Sequence, residues 1–145
     1  MALERKFEFL EHTADVYIAA YGRDLMEAFE NAAAAAFEVM TDIDRVEPKI
    51  EEEVEVEADD EYALLYSWIE ELLVRSEINQ VLYSKFKVLS IEKSDEGYRL
   101  KAKIWGEEFN PDKHTQKVGI KAITYHQMEI IREPNKVTVK FILDI

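Results

Sequence analysis

The chain of 145 residues has no cysteine, only four glycines and only three prolines. The absence of cysteine excludes disulfides, thiolate metal sites and a cysteine nucleophile, and it fits a reducing compartment. Neither a GxGxxG sequence nor a P-loop sequence is present, so nucleotide binding by a glycine-rich loop is not expected. HExxH and GxSxG are also missing, which argues against a helix-borne zinc site and a nucleophile elbow.

Long apolar runs and an excess of basic residues are missing as well. No run approaches the roughly 20 residues of a membrane span, and the start of the chain, MALERKFEFLEH, is too charged for a secretory signal peptide. We therefore expect a cytoplasmic protein that does not bind membranes. Eighteen basic residues against 31 acidic ones give a net charge of −13. Such a charge opposes direct binding to nucleic-acid phosphates and suits a cation or a basic protein partner.

The apolar residues are spaced as in a small mixed fold. Period-two alternation predicts strands at residues 6–12, 16–22, around 54–56, 84–93, 97–106, 123–133 and 136–145, and helical spacing predicts helices at 25–40 and 62–79. Asp24 with Glu27 is expected to cap the first helix, and Asp59 or Asp60 the second. We predict a single α+β domain spanning residues 1–145, with a mixed or mostly antiparallel sheet and two helices packed on one face.

Two short stretches carry carboxylates in unusual places. The chain finishes on FILDI, where Asp144 follows an apolar strand, and Asp15 lies in EHTADV between the first two strands. Asp15 is either a turn residue or a metal ligand. A hard cation such as Ca²⁺ takes six to eight oxygens. Asp15, Asp144 and the terminal carboxylate of Ile145 supply three negative groups if the first turn and the last strand meet in space.

A polar loop near the end of the chain, in GEEFNPDKHTQKVGIKAITYH, is the third stretch of interest, because long loops in compact domains often carry function. We expect His114 to be solvated or partner-facing, and Lys121 to be a partner contact or a counter-charge to a carboxylate. His126 alternates with apolar strand residues, which favours a structural role. His12 either orients Asp15 or is hydrogen-bonded locally.

Four stretches together resemble the archease family: HTAD, WIEELLVRSE, the long GEEFNPDKHTQKVGIKAITYH block and the final ILDI. The similarity is collinear from about Glu11 to Ile145. It implies a small α+β protein that assists an RtcB-type RNA ligase in tRNA splicing, a ligase that uses GTP and Mn²⁺. The resemblance further implies a non-catalytic protein partner that promotes guanylylation of a ligase histidine and multiple turnover, and that meets tRNA only indirectly.

The same resemblance implies a divalent metal site, with Ca²⁺ as the expected occupant, at Asp15, Asp144 and Ile145. It implies less definite roles for His12, His114 and Lys121, as residues that support the ligands or contact the partner. Two alternatives remain open. One is a metal-dependent enzyme that acts alone through Asp15, Asp144, His12 and His114. The other is a chaperone-like module that binds proteins generally.

Overall fold

Seven strands and two main helices make up the part of the chain described here, residues 5–10 and 15–145 of a computed structural model. In chain order these are β1 (Phe7–Leu10), β2 (Val16–Gly22), α1 (Leu25–Met40), β3 (Ile50–Ala58), α2 (Glu61–Asn79), β4 (Val81–Ser94), β5 (Gly97–Glu108), β6 (Ala122–Glu133) and β7 (Lys136–Asp144). A 3₁₀ turn at Ile43–Arg45 was not predicted. Within the described ranges, neither helix is both long enough and apolar enough to cross a membrane.

The strands form two antiparallel sheets where the sequence led us to expect one. One sheet has the order β1-β2-β7-β6, and the other has the order β3-β5-β4. The α+β class is thus confirmed. The division into two sheets could not be foreseen, because alternation along a strand fixes which side chains are buried but does not fix which strand lies beside it.

Both helices begin at aspartates that the sequence predicts as caps. Asp24 accepts a hydrogen bond from the backbone N–H of Glu27 at 2.8 Å, and Asp60 accepts one from that of Ala63 at 2.8 Å. These bonds satisfy N–H groups that have no partner inside the first turn, and losing such a cap costs about 1 kcal/mol. The Glu27 carboxylate accepts in turn from the backbone N–H of Arg23 at 2.8 Å. Local sequence therefore sets where each helix starts.

The helices lie between the two sheets and contact strands of both. α1 packs on β2 and β7 of the first sheet and on β4 of the second, while α2 packs on β6 and β3. The alanine run at 32–36 is largely buried, and its small side chains let α1 lie close to the strands. The buried indole of Trp68 donates to the carbonyl of Phe29 at 2.9 Å and so links the helices. Burial of this apolar surface, at ~25 cal/mol per Å², is the main stabilising contribution.

Candidate functional site

The start of β2 and the end of β7 lie at the same end of the four-stranded sheet. The two strands are antiparallel, and the last pair in their register is Val16 with Leu143. Asp15 lies in a bend immediately before Val16, and Asp144 follows Leu143 as the last residue of β7. Neighbouring antiparallel strands have opposed Cα atoms about 4.5–5.5 Å apart. The register therefore brings two residues from opposite ends of the chain to one place.

β6 brings a third residue to this end of the sheet. Ala122 is paired with Asp144, and the backbone N–H of Lys121 donates to the Asp144 carbonyl at 2.8 Å. The Lys121 side chain is exposed. Lys121 thus fixes the main chain of Asp144 from the other side of β7. Its two predicted roles, partner contact and counter-charge, both remain predictions.

The final residues of β7 hold Asp144 on a rigid base. Phe141, Ile142 and Leu143 are each at most 1% exposed, whereas Asp144 is half-buried and Ile145 is exposed. β7 also lies in the interior of the sheet, between β2 and β6. The apolar anchor expected from FILDI is present, and it limits how far the Asp144 carboxylate can move.

The donors at this end of the sheet are oxygens alone. Asp15 and Asp144 offer carboxylates, and Ile145 offers main-chain oxygen, which are ligands suited to a hard cation. They fall short of six to eight ligands, so any such ion draws further oxygens from elsewhere. Across residues 5–10 and 15–145, no group of three or more His, Cys, Asp or Glu side chains forms a metal-binding cluster. His12 lies outside the described residues.

His114 is not solvated, so that prediction was wrong. The residue is 3% exposed, and its Nδ1 accepts a hydrogen bond from the backbone N–H of Asn110 at 2.9 Å. Its Nε2 therefore carries the proton and donates to Oε1 of Glu107 at 2.6 Å. The imidazole is buried because it satisfies polar groups where the loop turns back on β5. Neither hydrogen bond reaches the Asp144 end of the sheet.

Glu107 is the centre of an ionic cluster that sequence reasoning missed. Burial alone would raise the pKa of its carboxyl, but hydrogen bonds from Lys113 and His114 outweigh burial and lower the pKa to about 2. Lys113 also contacts Glu47, at 2.5 Å, and Lys49 lies 3.7 Å from Glu107. A cavity of about 450 Å³ adjoins the cluster. Positive and negative groups are balanced here, which suits a clamp for the loop better than an ion-binding site.

The rest of the loop is fastened to the end of α1. Lys117 Nζ donates to the Glu38 carboxylate at 2.6 Å and to the Glu38 carbonyl at 3.1 Å. Its backbone N–H donates to the Met40 carbonyl at 3.0 Å. A cation at a helix C-terminus is favourable because unpaired carbonyls give that end a partial negative charge.

His126 is exposed beside an irregularity in β6, so the structural role expected from alternation is not supported.

Comparison with known proteins gives one consistent family. The model of the Archease protein family matches residues 7–145. Protein archease of Sulfurisphaera tokodaii is 51% identical over 141 residues, which cover 97% of this chain and 99% of that protein. Protein archease of Thermococcus kodakarensis is 50% identical over 131 residues, covering 90% and 92%.

Two solved structures have similar folds. The solution structure of Methanobacterium thermoautotrophicum protein 1598 matches with a TM-score of 0.85 and 44% identity, over 97% of this chain and 99% of that one. The crystal structure of a Thermotoga maritima archease, described as a possible chaperone, matches with a TM-score of 0.62 over the full length of both chains. Its identity of 17% makes it similar in fold alone.

Proposed function

Because the chain belongs to the archease family, we propose that it activates an RtcB-type RNA ligase in tRNA splicing. It acts as a protein partner and not as an enzyme: it promotes guanylylation of the ligase and multiple turnover, and it meets tRNA only through the ligase. The observation that carries this proposal is the register of β2 with β7, whose last pair, Val16 with Leu143, adjoins Asp15 and Asp144. The resemblance implies function for these residues, and the pairing of Val16 with Leu143 next to them supports it.

The proposal includes a divalent cation, Ca²⁺ in the first instance, at Asp15, Asp144 and Ile145. When bound, the ion supplies positive charge at the end of the sheet. The chain's own contribution is orientation: the apolar end of β7 fixes the Asp144 backbone, and Lys121 fixes it from β6. Ligands missing from these three residues come from water or from the partner.

The charge of the protein supports a basic partner. A net charge of −13 attracts a positively charged surface and repels free RNA. A ligase that binds RNA must itself present positive charge near its nucleotide and RNA sites. An acidic activator can therefore approach such a cleft, and this approach needs no direct contact with RNA.

The decisive experiment is single-turnover guanylylation of the matched ligase with the intact protein, with Asp144→Ala, and with neither. We expect the intact protein to raise the rate by at least about tenfold, and Asp144→Ala to remove most of this gain while the fold is kept. Asp95→Ala is the matched control, because Asp95 is an exposed residue in the turn between β4 and β5 and its loss changes the net charge equally. Stimulation by Asp144→Ala equal to that by the control would rule out the role of this end of the sheet.

Ion binding has its own readout. Calcium titrated into the intact protein is expected to release heat and raise the Tm, and Asp15→Ala is expected to abolish both effects.

Failure of the intact protein to stimulate its matched ligase would end the activator proposal. The two alternatives then separate cleanly, because a chaperone-like module suppresses aggregation of unrelated clients, and a metal-dependent enzyme turns over a substrate without any partner.

A further inference from the structure

α2 buries one apolar face against the core and carries further apolar residues on its opposite side. Leu65, Trp68 and Leu72 are buried against the sheets. Residues four apart on a helix share a face, and on the opposite side Val74 and Ile78 remain 44% and 74% exposed. An amphipathic surface helix is normally polar on its outer side. Val74 and Ile78 thus add apolar surface on the side of α2 that faces away from the core.

A groove of about 330 Å³ runs between the C-terminal half of α2 and the segment that leads into β6. Its apolar lining includes Leu73, Val74 and Ile120. The exposed carboxylates of Glu70 and Glu77 also border it. We name this feature the α2 groove. It combines apolar walls with three charged residues, Glu70, Glu77 and Lys121, which together leave it with a net negative charge.

The α2 groove adjoins the candidate site described above. Lys121 and Ala122 line it, and these two residues are the ones that meet Asp144 across the sheet. A partner seated in the groove would therefore lie next to the end of β7. One partner can engage the groove and the Asp15–Asp144 end of the sheet together.

The charged residues of the α2 groove indicate which kind of partner binds there. A second copy of this chain, also at −13, would bring like charges to the edges marked by Glu70 and Glu77. A segment with apolar side chains flanked by Lys or Arg complements both the walls and the edges. We propose that the α2 groove is the docking surface for such a basic, apolar segment of the RtcB-type ligase. The inference rests on the proposed function and adds to it the face by which the protein binds.

Gly119 is a position at which an added side chain can block the groove. It lines both the α2 groove and a neighbouring depression of about 260 Å³. A Cβ atom built at Gly119 meets no other atom within 4 Å. A large side chain at this position therefore extends into open space that the partner would otherwise fill.

The test measures the Kd of the matched ligase for the intact protein and for Gly119→Trp. We expect Gly119→Trp to weaken binding at least tenfold. Leu89→Trp is the control, because it adds the same indole at a residue of β4 that is already 52% exposed. Its Kd is expected to stay within about twofold of the intact value, since Leu89 does not line the groove.

A second pair of variants tests the edges of the groove and covers a failure of Gly119→Trp to fold. Glu70→Lys with Glu77→Lys is expected to weaken ligase binding at least tenfold. The control, Glu92→Lys with Glu96→Lys, makes the same change in net charge at exposed sites around the turn between β4 and β5. If both pairs lost the same amount of ligase affinity, only net charge would matter, and the groove would be overturned as the docking surface.

The outcomes separate the two proposals. Groove variants that bind the ligase as tightly as the intact protein overturn the docking surface and leave the activator proposal standing. An intact protein that neither binds nor stimulates the ligase ends both. A dimer in sedimentation that Gly119→Trp dissociates would assign the groove to a second copy, against the inference.

Discussion

Glu107 is the residue at which the loop between β5 and β6 is held. Lys113 and His114 both donate to its carboxylate, with the closest contacts at 2.7 and 2.6 Å. The carboxyl is only 8% exposed, so water cannot easily replace these partners. Because the pKa of Glu107 is about 2 in the folded protein, against an ordinary value of 4.5, folding favours its ionised form.

The sign of the pH effect follows from this lowered pKa. Above about pH 4.5 the carboxylate contributes its full stabilisation, and this is lost as the pH falls towards 2, because the unfolded chain then binds the proton more readily. We expect Glu107→Gln to lower the free energy of unfolding by about 1–3 kcal/mol at pH 7. The difference in the free energy of unfolding between the intact protein and Glu107→Gln should narrow as the pH falls from about 5 to 2. Denaturant titrations across that range measure it, with the exposed neighbour Glu108→Gln as control.

A gap that stays constant between pH 5 and pH 2 would contradict this account of Glu107. It would show that the substitution acts through packing alone.

Single residues differ in how far sequence could anticipate their surroundings. Asp24 and Asp60 were predictable caps, because capping depends on groups three residues away. His114 was not, because the loop must first fold to bring Asn110 and Glu107 to its ring. The pair Asp15 and Asp144 is intermediate: the residue types suggested ligands, but only the register of distant strands could bring them together.

At the scale of elements, the β4–β5 hairpin contains the glycine with the least room for a side chain. A Cβ atom at Gly106 would lie 1.9 Å from the carbonyl oxygen of Leu82, beside a register shift between Tyr83 and Lys85. Real atoms cannot approach so closely, so one strand would have to move. Overpacking of this kind costs about 1–3 kcal/mol or more.

We therefore expect Gly106→Ala to lower the Tm by several degrees, at about 2–4 °C per kcal/mol for a chain of this size. Gly119→Ala makes the same chemical change where a Cβ meets nothing, and its Tm should stay within about 1 °C of the intact value. Differential scanning calorimetry compares the two directly. Equal Tm values for both variants would show that the hairpin adjusts freely at Gly106.

Element type was predictable from the sequence, but element partnership was not. Alternation and helical spacing identified all seven strands and both helices of the described part. The exposure of Val74 and Ile78 in α2 could not be predicted, because helical spacing alone does not say which side of a helix the sheets will cover. The irregularities in β4 and β6 also escaped notice, since a bulge has no single sequence signature.

For the whole molecule, the dominant property is a net charge of −13. If a basic ligase is the partner, attraction between opposite charges speeds their encounter, and salt screens it over about 10 Å at 0.1 M. We expect the association rate constant to fall about tenfold or more between roughly 0.05 and 0.5 M salt, with a smaller change in the dissociation rate. Stopped-flow mixing at several salt concentrations measures both. An association rate that is indifferent to salt would argue against electrostatic attraction to the ligase.

The place of β7 in its sheet has a consequence for biosynthesis. β7 is translated after every other strand described here, yet it occupies an interior position between β2 and β6. All three strands of the β3-β5-β4 sheet are translated before β6 and β7. A nascent chain can therefore complete this sheet before β7, the neighbour of β2, has been synthesised. Asp15 and Asp144 therefore come to the same end of the sheet only after β7 has been translated. A ribosome that stalls before β7 leaves one finished sheet, and β2 without the strand that carries Asp144.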